Sequence, residues 1–153
     1  MSLKIARETP NQPEVIRLID ELDAYQKPLY PAESHHGIDM NALTQPNVIF
    51  AVARSDQDEV IGCGAIVITE NYGELKRMFV SPRARGGGVG KSILKFLEDA
   101  AVAQGFTLAT LETGIYQPEA LRLYERAGYV RCEPFGDYAP DPMSVFMRKR
   151  LGA

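Results

Sequence analysis

The sequence predicts an α+β (mixed α/β) chain built on a mixed central sheet of about seven strands, with helices on both faces. Three observations carry that expectation. Strand-like runs between residues 47 and 81 are separated only by tight turns, which pairs them as an antiparallel meander. A glycine-rich stretch, RARGGGVGKS, then leads straight into an amphipathic helix followed by a further strand, a strand–loop–helix–strand crossover. The composition, 45% hydrophobic and 24% charged over 153 residues, is that of a chain able to bury a core without disulfides.

In chain order, SLKIARE reads as a short strand. QPEVIRLIDELDAYQKPL places Val15, Ile16, Leu18, Ile19, Leu22 and Tyr25 at helical spacing, with Pro13 suited to a first turn and Pro28 and Pro31 ending the helix. A second, short helix is expected from about Ile38 to Leu43, before Pro46. NVIFAVARS, VIGCGAIVITE and ELKRMFVS are the meander strands, turning at DQDE and NYG. VGKSILKFLEDAAVAQG is an amphipathic helix with Val89, Ile93, Phe96, Leu97 and Ala100 as its apolar stripe and Gly105 as its stop. FTLATLET is a strand, QPEALRLYERAG a helix capped by Gly128, and YVRCE and SVFMRKRL close the sheet. No linker or repeat interrupts this order, so residues 1–153 are expected to form a single domain.

Several function classes are disfavoured. A net charge of −3 and a pI near 5.4 argue against a nucleic-acid binder, and the cationic loop is not accompanied by an array of stacking aromatics. The N-terminus lacks the apolar stretch of a signal peptide, and no run approaches a membrane span. Cys63 and Cys132, without a CxxC pair, point to reduced thiols in a cytoplasmic protein. No metal site is expected, since His35 and His36 are sequence neighbours whose side chains diverge. Neither cysteine has a His or Asp arranged around it, so neither is expected to act as a nucleophile.

The glycine-rich stretch is not a nucleotide loop. A Walker A motif would need glycine at position 85, which is Arg85, and the dinucleotide fingerprint would need glycine at Lys91 or Ile93. What remains is a strand delivered through side-chain-free residues into a helix start, where main-chain N–H groups and the helix dipole favour an anion and Arg83, Arg85 and Lys91 add charge. The plainer alternative is a glycine loop serving only as a tight turn.

VSPRARGGGVGKSIL resembles motif A of the GCN5-related N-acetyltransferases (GNAT), whose core [QR]-x-x-G-x-[GA] falls here on Arg85, Gly88 and Gly90. QPEALRLYERAGY is similar to a second block of that family through Ala120, Tyr124, Gly128 and Tyr129. The element order matches over essentially the whole chain. The resemblance implies a GNAT-like fold and acetyl-coenzyme A as donor. Its pyrophosphate would rest on the main-chain N–H groups of Arg85, Gly86, Gly87, Gly88, Val89, Gly90 and Lys91, with Arg83 or Lys91 near a further phosphate. Its pantetheine arm would pair with the strand at Met78, Phe79 and Val80 like an added strand. Gln117 stands where many members have an asparagine that contacts that arm.

The resemblance also implies direct acetyl transfer to an amine, with Tyr124 as the proton donor to the departing thiolate; spacing alone also allows a core tyrosine. A main-chain N–H near Phe79 or Val80 would face the developing oxyanion. The expected general base is Glu74, with Glu112 acting through a water as the rival; either could equally be a solvated strand-end carboxylate. Acceptor-side loops carry Glu33, His35, His36, Asp137, Tyr138 and Asp141; acidic groups beside tyrosines suit a cationic amine, and the histidines could meet a carboxylate. The expected acceptor is the primary amine of a small molecule or amino acid. A protein N-terminus or lysine, and a non-catalytic acyl-coenzyme A sensor, are the alternatives. A homodimer is expected from family habit alone.

Overall fold

A computed structural model of the chain describes residues 3–31 and 39–152. Its elements run β1 (Lys4–Arg7), α1 (Pro13–Gln26), α2 (Met40–Leu43), β2 (Val48–Arg54), β3 (Val60–Ile68), β4 (Gly73–Val80), α3 (Val89–Ala103), β5 (Leu108–Gly114), α4 (Pro118–Arg126), β6 (Val130–Cys132) and β7 (Ser144–Arg150). They build a seven-stranded sheet in the order β1-β2-β3-β4-β5-β7-β6. Every neighbouring pair is antiparallel except β4 and β5, which are joined through α3 and run parallel.

β2 and β3 are apolar on both faces because helices cover both faces. Ile49, Ala51 and Ala53 pack with α3, while the alternating Phe50 and Val52 pack with α1. α3 buries Val89, Ile93, Leu94, Leu97 and Ala101, so its stripe is turned slightly from the expected one, with Phe96 and Ala100 at the margin. α1 buries Val15, Leu18, Ile19 and Leu22, whereas Tyr25 is 44% exposed and outside the stripe. The short helix expected from Ile38 begins at Met40, capped by the Asp39 carboxylate accepting from Ala42 N–H at 2.8 Å; Ile38 lies outside the described residues. Among the described residues no helix is long and apolar enough to cross a membrane.

Two irregularities of β4 position everything that follows. Cys63 pairs with Phe79 and Ala65 with Lys76, so β4 carries one extra residue, and Arg77 takes the left-handed conformation at φ 55°. The bulge breaks the two-residue alternation: Leu75, Met78 and Val80 pack on the α3 side, while Arg77 is turned to Asp23 of α1. A left-handed arginine costs about 1–3 kcal/mol. The ion pair with Asp23, whose side chain is 43% exposed, returns at most about 1 kcal/mol. Burial of Phe79 and Met78 on opposite faces supplies the remainder. The second irregularity is that β4 pairs with β5 only at Gly73–Leu75, against Ala109–Leu111, after which the two strands part.

Gly64 shows how closely the bulge is packed. A Cβ there would run into Met78 Sδ and stand 2.9 Å from Ile93 Cγ2, and Ile93 is fully buried. Gly64→Ala is expected to destabilise the protein by about 1–3 kcal/mol through overpacking, seen as a lower urea midpoint with an unchanged slope.

Candidate active site

The strand β4 runs through a 3-10 turn at Pro82–Ala84 into the glycine loop, and Gly88 stands as the N-cap of α3 in the left-handed region at φ 78°. Gly86 also has positive φ, at 88°. No other atom would lie within 4 Å of a Cβ on either residue, so the space above the loop is open. Unlike α2, α3 has no side-chain cap, and its first main-chain bond is Ser92 N–H to Gly88 O. The amides of residues 86–91 therefore have no main-chain partner and converge on the helix's positive end. Arg85 lies beside them, its Nε donating to Val80 O at 3.2 Å and its guanidinium 5.5 Å from the Phe79 ring centre. Gly90 is needed for packing rather than conformation: a Cβ there would sit 3.3 Å from Leu123 of α4. Arg83 turns the other way, to Glu59 at 3.5 Å.

Where β4 and β5 part, a cavity of about 310 Å3 opens. Its lining includes Met78 of β4 and Gln117, Ala120 and Tyr124 of α4 and its approach. It also includes Asp23, Lys27, Tyr30, Lys76, Arg77 and Glu112. Tyr124 is 6% exposed, and among the described residues its hydroxyl has no hydrogen-bond partner. Burial pushes its pKa well above the usual phenol range, so it stays protonated. Its ring meets Tyr129 edge-on at 5.8 Å, and Tyr129 is anchored in turn by donating to Glu98 at 2.8 Å, which also pairs with Lys149 at 3.0 Å.

The two candidate carboxylates have different surroundings. Glu74 is buried, accepts from the Tyr138 hydroxyl at 2.6 Å and pairs with Lys76 at 3.3 Å; it does not line the cavity. Glu112 does line it, held from behind by the Ser144 hydroxyl at 2.6 Å. Tyr138 is thus brought to Glu74, and burial together with that carboxylate raises its pKa. Asp137 is exposed to solvent, and Asp141 accepts from Met143 N–H at 2.9 Å within its own loop. Glu33, His35 and His36 lie outside the described residues.

Sequence reasoning missed Tyr30, Lys76 and Arg77. Tyr30 donates to Gln117 Oε1 at 3.2 Å and accepts from Tyr116 N–H at 3.1 Å, tying the end of α1 to the start of α4 across 87 positions. Gln117 Oε1 also accepts from Gly114 N–H at 3.2 Å, and a Cβ on Gly114 would collide with the Tyr30 hydroxyl. Nothing local in the sequence marks that latch. The two cations did leave a sign: consecutive charges in ELKRMFV cannot alternate between solvent and core in a strand covered on both faces.

Cys63 is fully buried and donates to Arg77 O at 3.4 Å, beneath the bulge; burial pushes its thiol up to about 12. Cys132 is partly exposed. In native protein at pH 8, only Cys132 is expected to react with an aromatic disulfide reagent, and both thiols after unfolding. Rapid native reaction at Cys63 would contradict this packing.

Comparison with known proteins agrees with this architecture. Residues 15–129 match the family described as the acetyltransferase (GNAT) family. The IAA acetyltransferase of Azospirillum brasilense is 51% identical over 98% of this chain and 99% of its own length. The N-acetyltransferase YsnE of Bacillus subtilis (strain 168), itself uncharacterized, is 37% identical over 99% and 100%. The crystal structure of a Klebsiella pneumoniae protein assigned as an acyl-CoA N-acyltransferase is 39% identical, covers 98% of each chain and superposes with a TM-score of 0.84. The fold, the glycine loop at the start of α3 and these similarities together make the chain a member of the acetyltransferase (GNAT) family.

Proposed function

We propose that this enzyme moves an acetyl group from acetyl-coenzyme A directly to the primary amine of a small molecule. The observation that carries the reading is the cavity at the parting of β4 and β5, which is lined both by a protonated tyrosine, Tyr124, and by the Glu112 carboxylate. The donor supplies an activated thioester; the residues present fit it. The amides of residues 86–91 suit its linked phosphates, and the cradle above Gly86 and Gly88 is open. The edge of β4 from Lys76 to Val80, released from β5, suits an extended arm that hydrogen-bonds along it.

Tyr124 donates a proton to the departing sulfur; its raised pKa keeps that proton in place at neutral pH. Glu112, rather than Glu74, takes the proton of the amine. A base must reach the cavity, which Glu112 lines and Glu74, paired with Lys76 and Tyr138, does not. A cavity of about 310 Å3, with the Tyr30–Gln117 contact in its lining, supports a small acceptor over a protein segment.

Thiol release with a panel of amines tests the reading. Tyr124→Phe is expected to lower kcat at least about tenfold with little change in KM, because the lost bond forms only as the sulfur leaves. Glu112→Gln is expected to cost more kcat than Glu74→Gln; the reverse order would return the base to Glu74. In wild type, kcat is not expected to fall up to pH 10 through loss of the Tyr124 proton, since its pKa is raised. Gly88→Asp puts a carboxylate where the phosphates belong and is expected to abolish the heat of coenzyme A binding. A wild type giving neither heat nor thermal protection with coenzyme A would overturn the proposal.

A further inference from the structure

We infer that the acceptor carries a carboxylate as well as its amine, and that Lys76 and Arg77 hold that carboxylate. The inference rests on the acetyl-transfer reading above and concerns the acceptor end of the same cavity. Sequence reasoning looked for acceptor contacts in the loops; among the described residues the strand β4 adds cations to the cavity wall. Lys27, Lys76 and Arg77 line it together with Asp23 and Glu112.

The bulge is the reason two of those cations stand together. With strict alternation from Leu75, residue 77 would enter the layer packed on α3, which is built from Ile93, Leu97 and their apolar neighbours. The extra residue instead brings Lys76 and Arg77, consecutive in sequence, to the wall of one cavity. Both side chains are largely buried, at 16% and 13% exposure, and each has a protein carboxylate to orient it: Glu74 for Lys76, Asp23 for Arg77. A fold that accepts a strained arginine and desolvates two adjacent cations beside a cavity has built an anion-facing wall. The planar guanidinium fork matches a carboxylate, and the neighbouring ammonium adds a point charge.

The cavity lining carries both signs of charge, which suits the same acceptor. If Glu112 faces the incoming amine, an acceptor with only a positive charge would meet a wall of opposite preference beyond it. A zwitterionic acceptor meets Glu112 with its amine and the β4 cations with its carboxylate.

Calorimetry with coenzyme A-saturated enzyme tests this without turnover, using N-acetyl amino acids of varied side chain and their carboxamides as product-like probes. The acids are expected to bind at least about tenfold more tightly than the matched carboxamides. Arg77→Met and, separately, Lys76→Met are expected to shrink that preference to about twofold. If either methionine variant fails to fold by its melting curve, Arg77→Gln or Lys76→Gln takes its place. Equal binding of acid and carboxamide to wild type, binding of neither, or a preference that survives both substitutions would overturn the inference. So would tighter binding of the matched phosphonates, which would make the planar group the wrong one. Parallel thiol-release assays with the parent amines separate the two readings. An acid preference in binding with no turnover on any amine supports the carboxylate site and sinks the transfer reaction; turnover confined to carboxamides does the opposite.

Discussion

β4 is paired on both sides at Leu75 and on one side only after it, and the rest of the site depends on that change. Main-chain amides and carbonyls are seldom left without partners inside a protein, so a strand edge opened within a sheet needs something to lie along it. The extra residue at Arg77–Met78 sharpens the twist of β4 just where β5 turns away. The same few residues therefore form the wall of the cavity, an unpaired strand edge, and the ramp into the glycine loop. Since α3 starts only a few residues later, the helix's uncapped amides lie in line with the edge. One continuous stretch from Lys76 to Lys91 thus carries both proposed parts of the donor site.

The packing around this stretch explains why its irregular geometry persists. Cys63 bonds the carbonyl of the strained residue from β3, and Ile93 and Leu97 press Met78 and Gly64 together from α3. On the other face, Phe79 joins the cluster under α1 and carries the Arg85 guanidinium above it. The bulge is over-determined from both layers. That is the general condition under which a conformation costing a few kcal/mol survives in a folded chain.

Polar groups at the cavity fall into two kinds. Glu74, Tyr138 and Lys76 form a linked, largely buried set, as do Glu98, Tyr129 and Lys149 behind Tyr124. Such sets orient their neighbours and are expensive to disturb, because breaking one partner leaves another uncompensated in low dielectric. Tyr124 and Glu112 differ in having a face on the cavity. Access to the cavity, rather than residue type, is what separates Glu112 from Glu74.

Much was legible in the chain itself. Element order followed from periodicity and turns, because apolar alternation and helical spacing report the two faces on which a segment is buried. The glycine loop at the start of α3 was legible because glycine at 86 and 88 is a backbone requirement written in residue type. Tyr124 came from its place in a local helical motif. Other features were not legible. The parting of β4 from β5 is a relation between strands joined through a helix, and the Tyr30–Gln117 latch spans 87 positions. The reach of Lys76 and Arg77 into one cavity depends on a bulge centred on a non-glycine residue, which no turn residue announces. Local residue preferences act within a few positions and so determined the elements and the loop. Which carboxylate lines the cavity, and which cations stand beside it, depends on how distant strands and helices pack, and only the tertiary structure decided that.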